Sequence, residues 1–275
     1  MHSLNNPPCF AGGILAPLER ILHILKEFNP ISLSEMDDVA LMSRTDTKYI
    51  FSIDQLSQLL HTIKDRYRVL EVEGNRASRY KTLYFDTPDL GFYHAHQNGK
   101  KNRYKIRSRQ YIDSNLTFLE VKFKNNKGRT VKTRVTIDDF ELDLSNESRE
   151  FIGETSGKDF SLVPTLWNSF ERITLVNHDI PERVTIDLNL TFEFEDEHLA
   201  TKNLVIAELK QERANRHSPV AKAIKDLHIR PERISKYCLG VALLREDVKR
   251  NTFKQKIMKI EKLEHQTYIR SAFTS

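Results

Sequence analysis

The chain has 275 residues, 39% of them hydrophobic, enough for a real core in one large domain or two small ones. Lys and Arg number 43 against 38 Asp and Glu, and the formal charge of +5 with a pI near 9.0 points to a polyanionic partner without separating nucleic acid from nucleotide or anionic lipid. Cys9 and Cys238 are too few for a disulfide framework and no apolar run of about 18 residues occurs, so the chain reads as cytoplasmic, without a membrane span or signal peptide.

Asn5-Asn6-Pro7-Pro8 and Gly12-Gly13 predict irregular backbone, after which Ile14, Leu18, Ile21, Leu22, Leu25 and Phe28 recur at helical spacing. That stripe fits either docking on the protein's own core or a membrane-surface or partner-binding helix, and Asn29-Pro30 ends it. Residues 1–32 are set apart as an N-terminal segment. Ser34 caps a short helix through Met42, 47–51 reads as a strand, and Ser52 or Asp54 opens a helix carrying Ile53, Leu56, Leu59, Leu60 and Ile63.

From Tyr67 the period changes to two. Strands are predicted over 66–72, 79–85, 101–111, 116–124 and 129–137, separated by Gly74-Asn75, Asp113-Ser114-Asn115 and the turn 125–128. A helix near 147–153 interrupts, and strands over 167–176, 183–194 and 203–210 follow. In the second of these, Val184, Ile186, Leu188, Leu190 and Phe192 alternate with Arg183, Thr185, Asp187, Asn189 and Thr191. Ser218-Pro219 starts a helix toward Leu227, and another is predicted over 234–244. The charged stretch 251–275 is read as a weakly helical tail, either disordered or a partner-binding extension. About eight strands without a βαβ rhythm predict an α+β fold over 33–250, an antiparallel β-barrel or strongly curled sheet with flanking helices.

Ionic residues fall on one parity of these strands. Lys105, Arg107 and Arg109 share a face, as do Glu120, Lys122 and Lys124, so several charges converge on one surface. The pattern fits an ordinary antiparallel sheet with one wet face, or an anion site. Candidate inward residues are Lys48, Lys105, Arg107, Arg109, Glu120, Lys122, Lys124, Lys132, Arg134, Arg172, Arg183, Asp187, Glu208 and Lys210. Enclosed like charges repel by about 4 kcal/mol per pair at 4 Å and an effective dielectric of 20, so carboxylates, water or a bound polyanion must neutralise them. Glu208 in Glu208-Leu209-Lys210 is either a ligand for Mg²⁺ or Mn²⁺ or half of an ion pair with Lys210. Neither the Gly-rich P-loop nor the dinucleotide fingerprint is present, and His94-x-His96 reads as a solvent-facing pair rather than a metal site. Single-stranded RNA is the competing polyanion, with Tyr104 and Tyr111 for stacking, but acidic residues within the same faces argue against nucleic acid.

Arg44-Thr45-Asp46-Thr47-Lys48-Tyr49, Tyr84-Phe85-Asp86-Thr87, Tyr104-Lys105-Ile106-Arg107-Ser108-Arg109, Leu119-Glu120-Val121-Lys122, Val131-Lys132-Thr133-Arg134, Phe170-Glu171-Arg172, Arg183-Val184-Thr185-Ile186-Asp187, Glu208-Leu209-Lys210 and Ser235-Lys236-Tyr237 follow one another along the chain. Their order resembles the VTC domain, the polyphosphate polymerase domain of the triphosphate tunnel metalloenzyme superfamily, over about 33–245. The resemblance implies a basic β-barrel tunnel that binds ATP with Mn²⁺ or Mg²⁺ and passes its terminal phosphoryl group to inorganic polyphosphate. It implies phosphate contacts from Lys48, Arg107, Arg109, Lys122, Arg172, Arg183 and Lys236, further binding residues in Lys105, Lys132, Arg134 and Lys210, and a metal ligand in Glu208. Thr45-Asp46-Thr47-Lys48 stands where many tunnel triphosphatases carry Glu-x-Glu-x-Lys, which speaks against a stand-alone triphosphatase and leaves hydrolysis as the main enzymatic alternative. Neither the membrane segments nor the SPX domain of the eukaryotic complexes is present, so translocation would need a separate membrane-protein partner, which residues 14–28 are placed to contact and which would make the cytoplasmic chain membrane-associated.

Overall fold

The computed structural model describes residues 17–37, 45–212, 215 and 217–272, with side chains for all of these except 37 and 266–272. In chain order the elements are α1 (Pro17–Leu25), β1 (Asn29–Ile31), α2 (Leu33–Asp37), β2 (Thr45–Ser52), α3 (Ile53–Ile63), β3 (Tyr67–Leu70), β4 (Ser78–Asp86), α4 (Gly91–Gln97), β5 (Arg103–Tyr111), β6 (Leu116–Lys124), β7 (Thr130–Ile137), α5 (Asn146–Ser156), β8 (Val163–Asn177), β9 (Glu182–Phe194), β10 (Glu197–Ala200), β11 (Leu204–Gln211), α6 (Pro219–Asp226), α7 (Lys236–Leu244) and α8 (Lys254–Ala272). The part of the expected N-terminal helix before Pro17, and residues 38–42 of the next one, lie outside the described residues.

The strands form one sheet whose main path is β2-β11-β9-β8-β4-β5-β6-β7, every neighbour antiparallel. β10 extends it beside β9, and β3 joins β8 while pairing in parallel with β1. Eight strands on the path agree with the expected curled antiparallel sheet with flanking helices. Among the described residues no ladder joins β2 to β7, so the barrel keeps an open seam.

Two faces divide the apolar and ionic residues. On the convex face Tyr49, Phe51, Ile173, Leu175, Val184, Ile186, Ala207 and Leu209 pack under α1, α3 and α6. Ser52 and Gln55 cap α3 reciprocally, and its Leu56, Leu59, Leu60 and Ile63 meet Ile21, Ile24 and Leu25 of α1 in the same cluster. The N-terminal stripe thus docks on the protein's own core. Leu83, Phe85, Ile106, Leu119 and Val121 make a second convex cluster with Ile152 of α5.

Helix α7 lies on the concave side, packed among Ile50, Tyr84, Leu166, Phe192 and Ile206. After Lys236 it is apolar on every side, and residues 237–242 are all buried. A Cβ at Gly240 would stand 2.6 Å from side-chain carbons of both Leu166 and Phe192, so any larger residue would force these two buried side chains to shift.

Three features differ from the sequence pattern. Asn189 sits at φ 49° opposite a register shift, which flips the parity of β9: Val184, Ile186 and Leu188 face the convex core, whereas Leu190 and Phe192 join α7. β8 begins at Val163 rather than 167, with Pro164 tolerated at an irregularity in the ladder to β4. The segment after Arg250 is no loose tail within 254–265: Phe253 and Ile260 are buried, and Glu264 accepts backbone N–H groups of Lys202, Asn203 and Leu204. No helix among the described residues is long and apolar enough to cross a membrane.

Candidate functional site

Register places the expected ionic residues on one face. Lys48 lies opposite Glu208, and Glu208 opposite Thr185; Lys210 lies opposite Arg183, and Arg172 opposite Asp187. Across the other half, Arg109 faces Thr82, Lys105 faces Lys122, Arg107 faces Glu120, Glu120 faces Arg134, and Lys122 faces Lys132. The curl brings these halves together, and Lys48 is one of the charges that disfavour protonation of both Lys105 and Lys122. The arrangement excludes a flat sheet with one wet face.

Each of three carboxylates is gripped by two cations. Glu120 accepts from Arg107 at 2.6 Å and contacts Lys132. Asp187 takes a two-pronged contact from Arg172, at 2.6 and 2.8 Å, and another from Lys236. Glu208 contacts Lys210 and lies 3.6 Å from Lys48. Burial alone would raise the Glu120 carboxyl, but Arg107, Arg109 and Lys132 outweigh it and hold it at about 2. By the same competition Arg172 and Lys236 hold Asp187, and Lys48 and Lys210 hold Glu208, well below the carboxylate range.

The opposite wall has a surplus of positive charge. Among the described residues no carboxylate forms an ion pair with Lys105, Arg109 or Lys122, although Lys105 donates to Ser235 Oγ at 2.7 Å. Burial pushes the Lys105 ammonium down to about 7, with Lys48, Lys122 and Arg107 adding to the effect. Burial and the adjacent Arg107 likewise disfavour the charge on Arg109, whose guanidinium instead lies 5.7 and 5.8 Å from the rings of Tyr80 and Phe170. Lys122 is pushed down by desolvation and by Lys48 and Arg107; it lies beside the edge strand β7 and is exposed, so solvent there softens the penalty.

The segment before α7 runs across the concave face. Lys48 donates to the carbonyl of Ile234, Lys105 to Ser235, and Lys236 to Asp187, so β2, β5 and β9 are tied to one short stretch. Ser235 also caps α7 through the N–H of Cys238. Behind it the buried Asp86 carboxylate accepts the Tyr237 hydroxyl and the N–H groups of Phe92 and Tyr93, joining the start of α4 to that of α7.

Two candidates are peripheral. Arg134 on the edge strand β7 is exposed and stacks over Phe118 at 4.4 Å, and Arg183 lies at the start of β9. Sequence reasoning missed the roles of Asp86 and Tyr237, which only the fold makes neighbours. It also misplaced His96, expected to face solvent: α4 tucks its Nδ1 into a buried position without a hydrogen-bond partner. Burial, then Lys105, Arg103, Lys124 and Lys48, push this imidazole down to about 3. A separate cleft of about 550 Å³, lined by Thr62, Arg66, Asn177, Asp179, His217 and Lys222, contains none of the candidate residues.

The family model described as the VTC domain matches residues 43–245. No curated protein sequence matches the chain. Among solved structures, a proposed adenylyl cyclase from Hippeastrum, described as having a dominant triphosphatase activity, is 12% identical; the match covers 71% of this chain and 95% of that one at a TM-score of 0.44. A proposed adenylate cyclase from Bacillus halodurans is 13% identical, with 71% and 96% covered and a TM-score of 0.42. The RNA triphosphatase of S. pombe is 9% identical, with 97% and 98% covered and a TM-score of 0.29.

Proposed function

This chain belongs to the VTC domain family, and from that membership and the charges of its concave face we propose that it is an ATP-dependent polyphosphate polymerase. The observation that carries the reading is the uneven neutralisation of the cavity. Glu120, Asp187 and Glu208 are each clamped by two cations, whereas among the described residues Lys105, Arg109 and Lys122 form no ion pair with a carboxylate. A chain of phosphates supplies the missing negative charge, and three cations on neighbouring strands suit a linear anion better than a compact one.

Lys48, Arg107, Arg109, Lys122, Arg172, Arg183 and Lys236 are assigned to phosphate oxygens, with Lys105, Lys132, Arg134 and Lys210 flanking them. A terminal oxygen of the acceptor chain attacks the γ-phosphorus of ATP in line. The new P–O bond forms as the bond to the β–γ bridging oxygen breaks, and ADP leaves with that electron pair. With the phosphates fully ionised the charges balance and no proton is released, so no protein base is required. What the side chains contribute is positioning and stabilisation of charge on the transferred oxygens.

Glu208 is the residue that would hold Mn²⁺ or Mg²⁺. Its oxygens already face Lys210 and Lys48, and no group of three His, Cys or acidic side chains suited to a metal occurs among the described residues. This donor set fits a hard cation that takes one carboxylate and completes its shell with phosphates and water, and it does not fit a cage of protein ligands. When bound, the ion would neutralise charge on the phosphate oxygens. The single Asp46 before Lys48 favours transfer to phosphate over the hydrolysis expected of a more acidic first strand.

The test is incubation of the purified protein with ATP and Mn²⁺, with products separated on a gel. A ladder of polyphosphate supports the reading. Release of free phosphate alone would replace it with a hydrolase, and unchanged ATP with a non-catalytic binder.

A further inference from the structure

Two short segments, 98–103 and 124–129, carry six cations: Lys100, Lys101 and Arg103 in one, Lys124, Lys127 and Arg129 in the other. The remaining positions are Asn and Gly, and neither segment contains an acid. The β5–β6 ladder brings them side by side, with Arg103 opposite Lys124 and the next inward pair being Lys105 and Lys122. Both segments therefore sit at the rim of the charged concavity. The turn between β6 and β7 is well defined: Gly128 takes φ 81°, and Asn125 Oδ1 accepts the N–H of Arg129.

What sets this rim apart is its lack of counter-charge. Single cations elsewhere on the described surface also stand without an ion pair, but here six of them share two adjacent segments that contain no acid. Pairs such as Arg20–Asp54, Lys64–Glu27, Arg79–Asp113 and Arg245–Asp247 offset charge on other parts of the surface. Among the described residues none of the six rim cations forms an ion pair. Lys100, Lys101, Lys127 and Arg129 are exposed, while Arg103 and Lys124 are half-buried and crowd His96 together with Lys105 and Lys48. Positive charge therefore runs without a break from the cavity to the outer rim.

We propose that these two segments form a collar that grips the polyphosphate chain where it leaves the cavity, a binding site separate from the one for the reacting phosphates. The inference rests on the polymerase reading above. Along the continuous strand β5, Arg103 lies about 20 Å from Arg109 at about 3.4 Å per residue, and Lys100 and Lys101 precede it, so a triphosphate seated among Arg107, Arg109 and Arg172 does not reach the outer segment, whereas a longer chain does. Binding of a linear polyanion there releases its condensed counterions, which makes the added affinity strongly dependent on salt. Neither segment has an aromatic ring on which a base could stack, which favours polyphosphate over single-stranded RNA. Held in this way, the product stays attached between successive additions.

The test uses the full chain carrying Lys101→Ala, Lys127→Ala and Arg129→Ala, three exposed positions outside the assigned phosphate contacts. Binding of inorganic tripolyphosphate and of long-chain polyphosphate is measured across a range of salt. Tripolyphosphate affinity should stay within about twofold, while long-chain affinity falls about tenfold or more and its logarithmic salt slope drops by about 2, near 0.7 for each lost contact. Unchanged long-chain affinity, an equal loss for both anions, or a larger loss for single-stranded RNA than for polyphosphate would overturn the collar. Failure of the unaltered protein to bind tripolyphosphate would overturn the cavity reading and the collar with it, so the two failures are told apart.

Discussion

Replacing Glu120 by Gln keeps the shape of the side chain and removes one buried charge, leaving Arg107 and Lys132 with no carboxylate between them. Glu120 is 1% exposed, against 20% for Arg107 and 40% for Lys132, so most of the effect comes through Arg107 and the Lys132 share is screened by solvent. The carboxyl is held at about 2 against an ordinary 4.5, which at about 1.4 kcal/mol per pH unit corresponds to about 3 kcal/mol of folding stability. Removing one partner of a buried pair costs a similar ~3–5 kcal/mol. Because the folded protein holds the stronger acid, this stabilisation is complete above pH 4.5 and is lost as pH falls toward 2. Urea denaturation of both proteins at pH 7 and at successively lower pH measures it. The variant should be about 3 kcal/mol less stable at neutral pH, with the gap closing below 4.5. A gap under about 1 kcal/mol, the range of an exposed pair, or one that does not change on acidification, would refute the reasoning.

Burial disfavours the charge on Lys236 and Lys105 alike, but Lys236 is paired with Asp187 whereas Lys105, among the described residues, has only the Ser235 hydroxyl as partner. Triphosphate affinity should weaken as pH rises through about 7 toward the Lys122 value of about 8, and Lys105→Met should remove the first part of that dependence in a titration calorimeter. The same variant should not be destabilised at neutral pH, since a lysine pushed below its unfolded value weakens folding wherever it is charged. Arg109→Lys keeps the charge but loses the planar fork beside Tyr80 and Phe170, and polymer synthesis should fall about tenfold for each 1.4 kcal/mol of lost transition-state contact. Lys254→Ala, at the start of α8, should leave synthesis unchanged, and the reverse outcome would move the site to a diffuse basic surface. Glu208→Gln should lower Mn²⁺-dependent turnover sharply in a phosphate-release or gel assay while circular dichroism shows an intact fold; equal turnover with the same metal dependence would remove Glu208 from the metal.

Alternation was legible because a strand has a period of two whatever it pairs with, so Lys105, Arg107 and Arg109 were placed on one face before any neighbour was known. Pairing was less so. Asp187 meets Lys236 only because α7 folds back into the concave side, and Asp86 meets Tyr237 for the same reason. The phase change at Asn189 left no trace in the hydrophobic pattern, since Leu188 and Leu190 are apolar for two different cores. His96 was read from its helix alone, whereas its surroundings come from β2, β5 and β6. The cations of the rim were visible as residues, but their lack of partners is a property of the whole surface.

The central claim is that the concave face holds a chain of phosphates, and a crystal structure with inorganic tripolyphosphate tests it most directly. The anion should lie inside the curled sheet, within hydrogen-bonding distance of Arg107, Arg109 and Arg172 and beside Lys105 and Lys122. Tripolyphosphate bound only on the convex face, or a cavity that stays empty at saturating concentration, would contradict it.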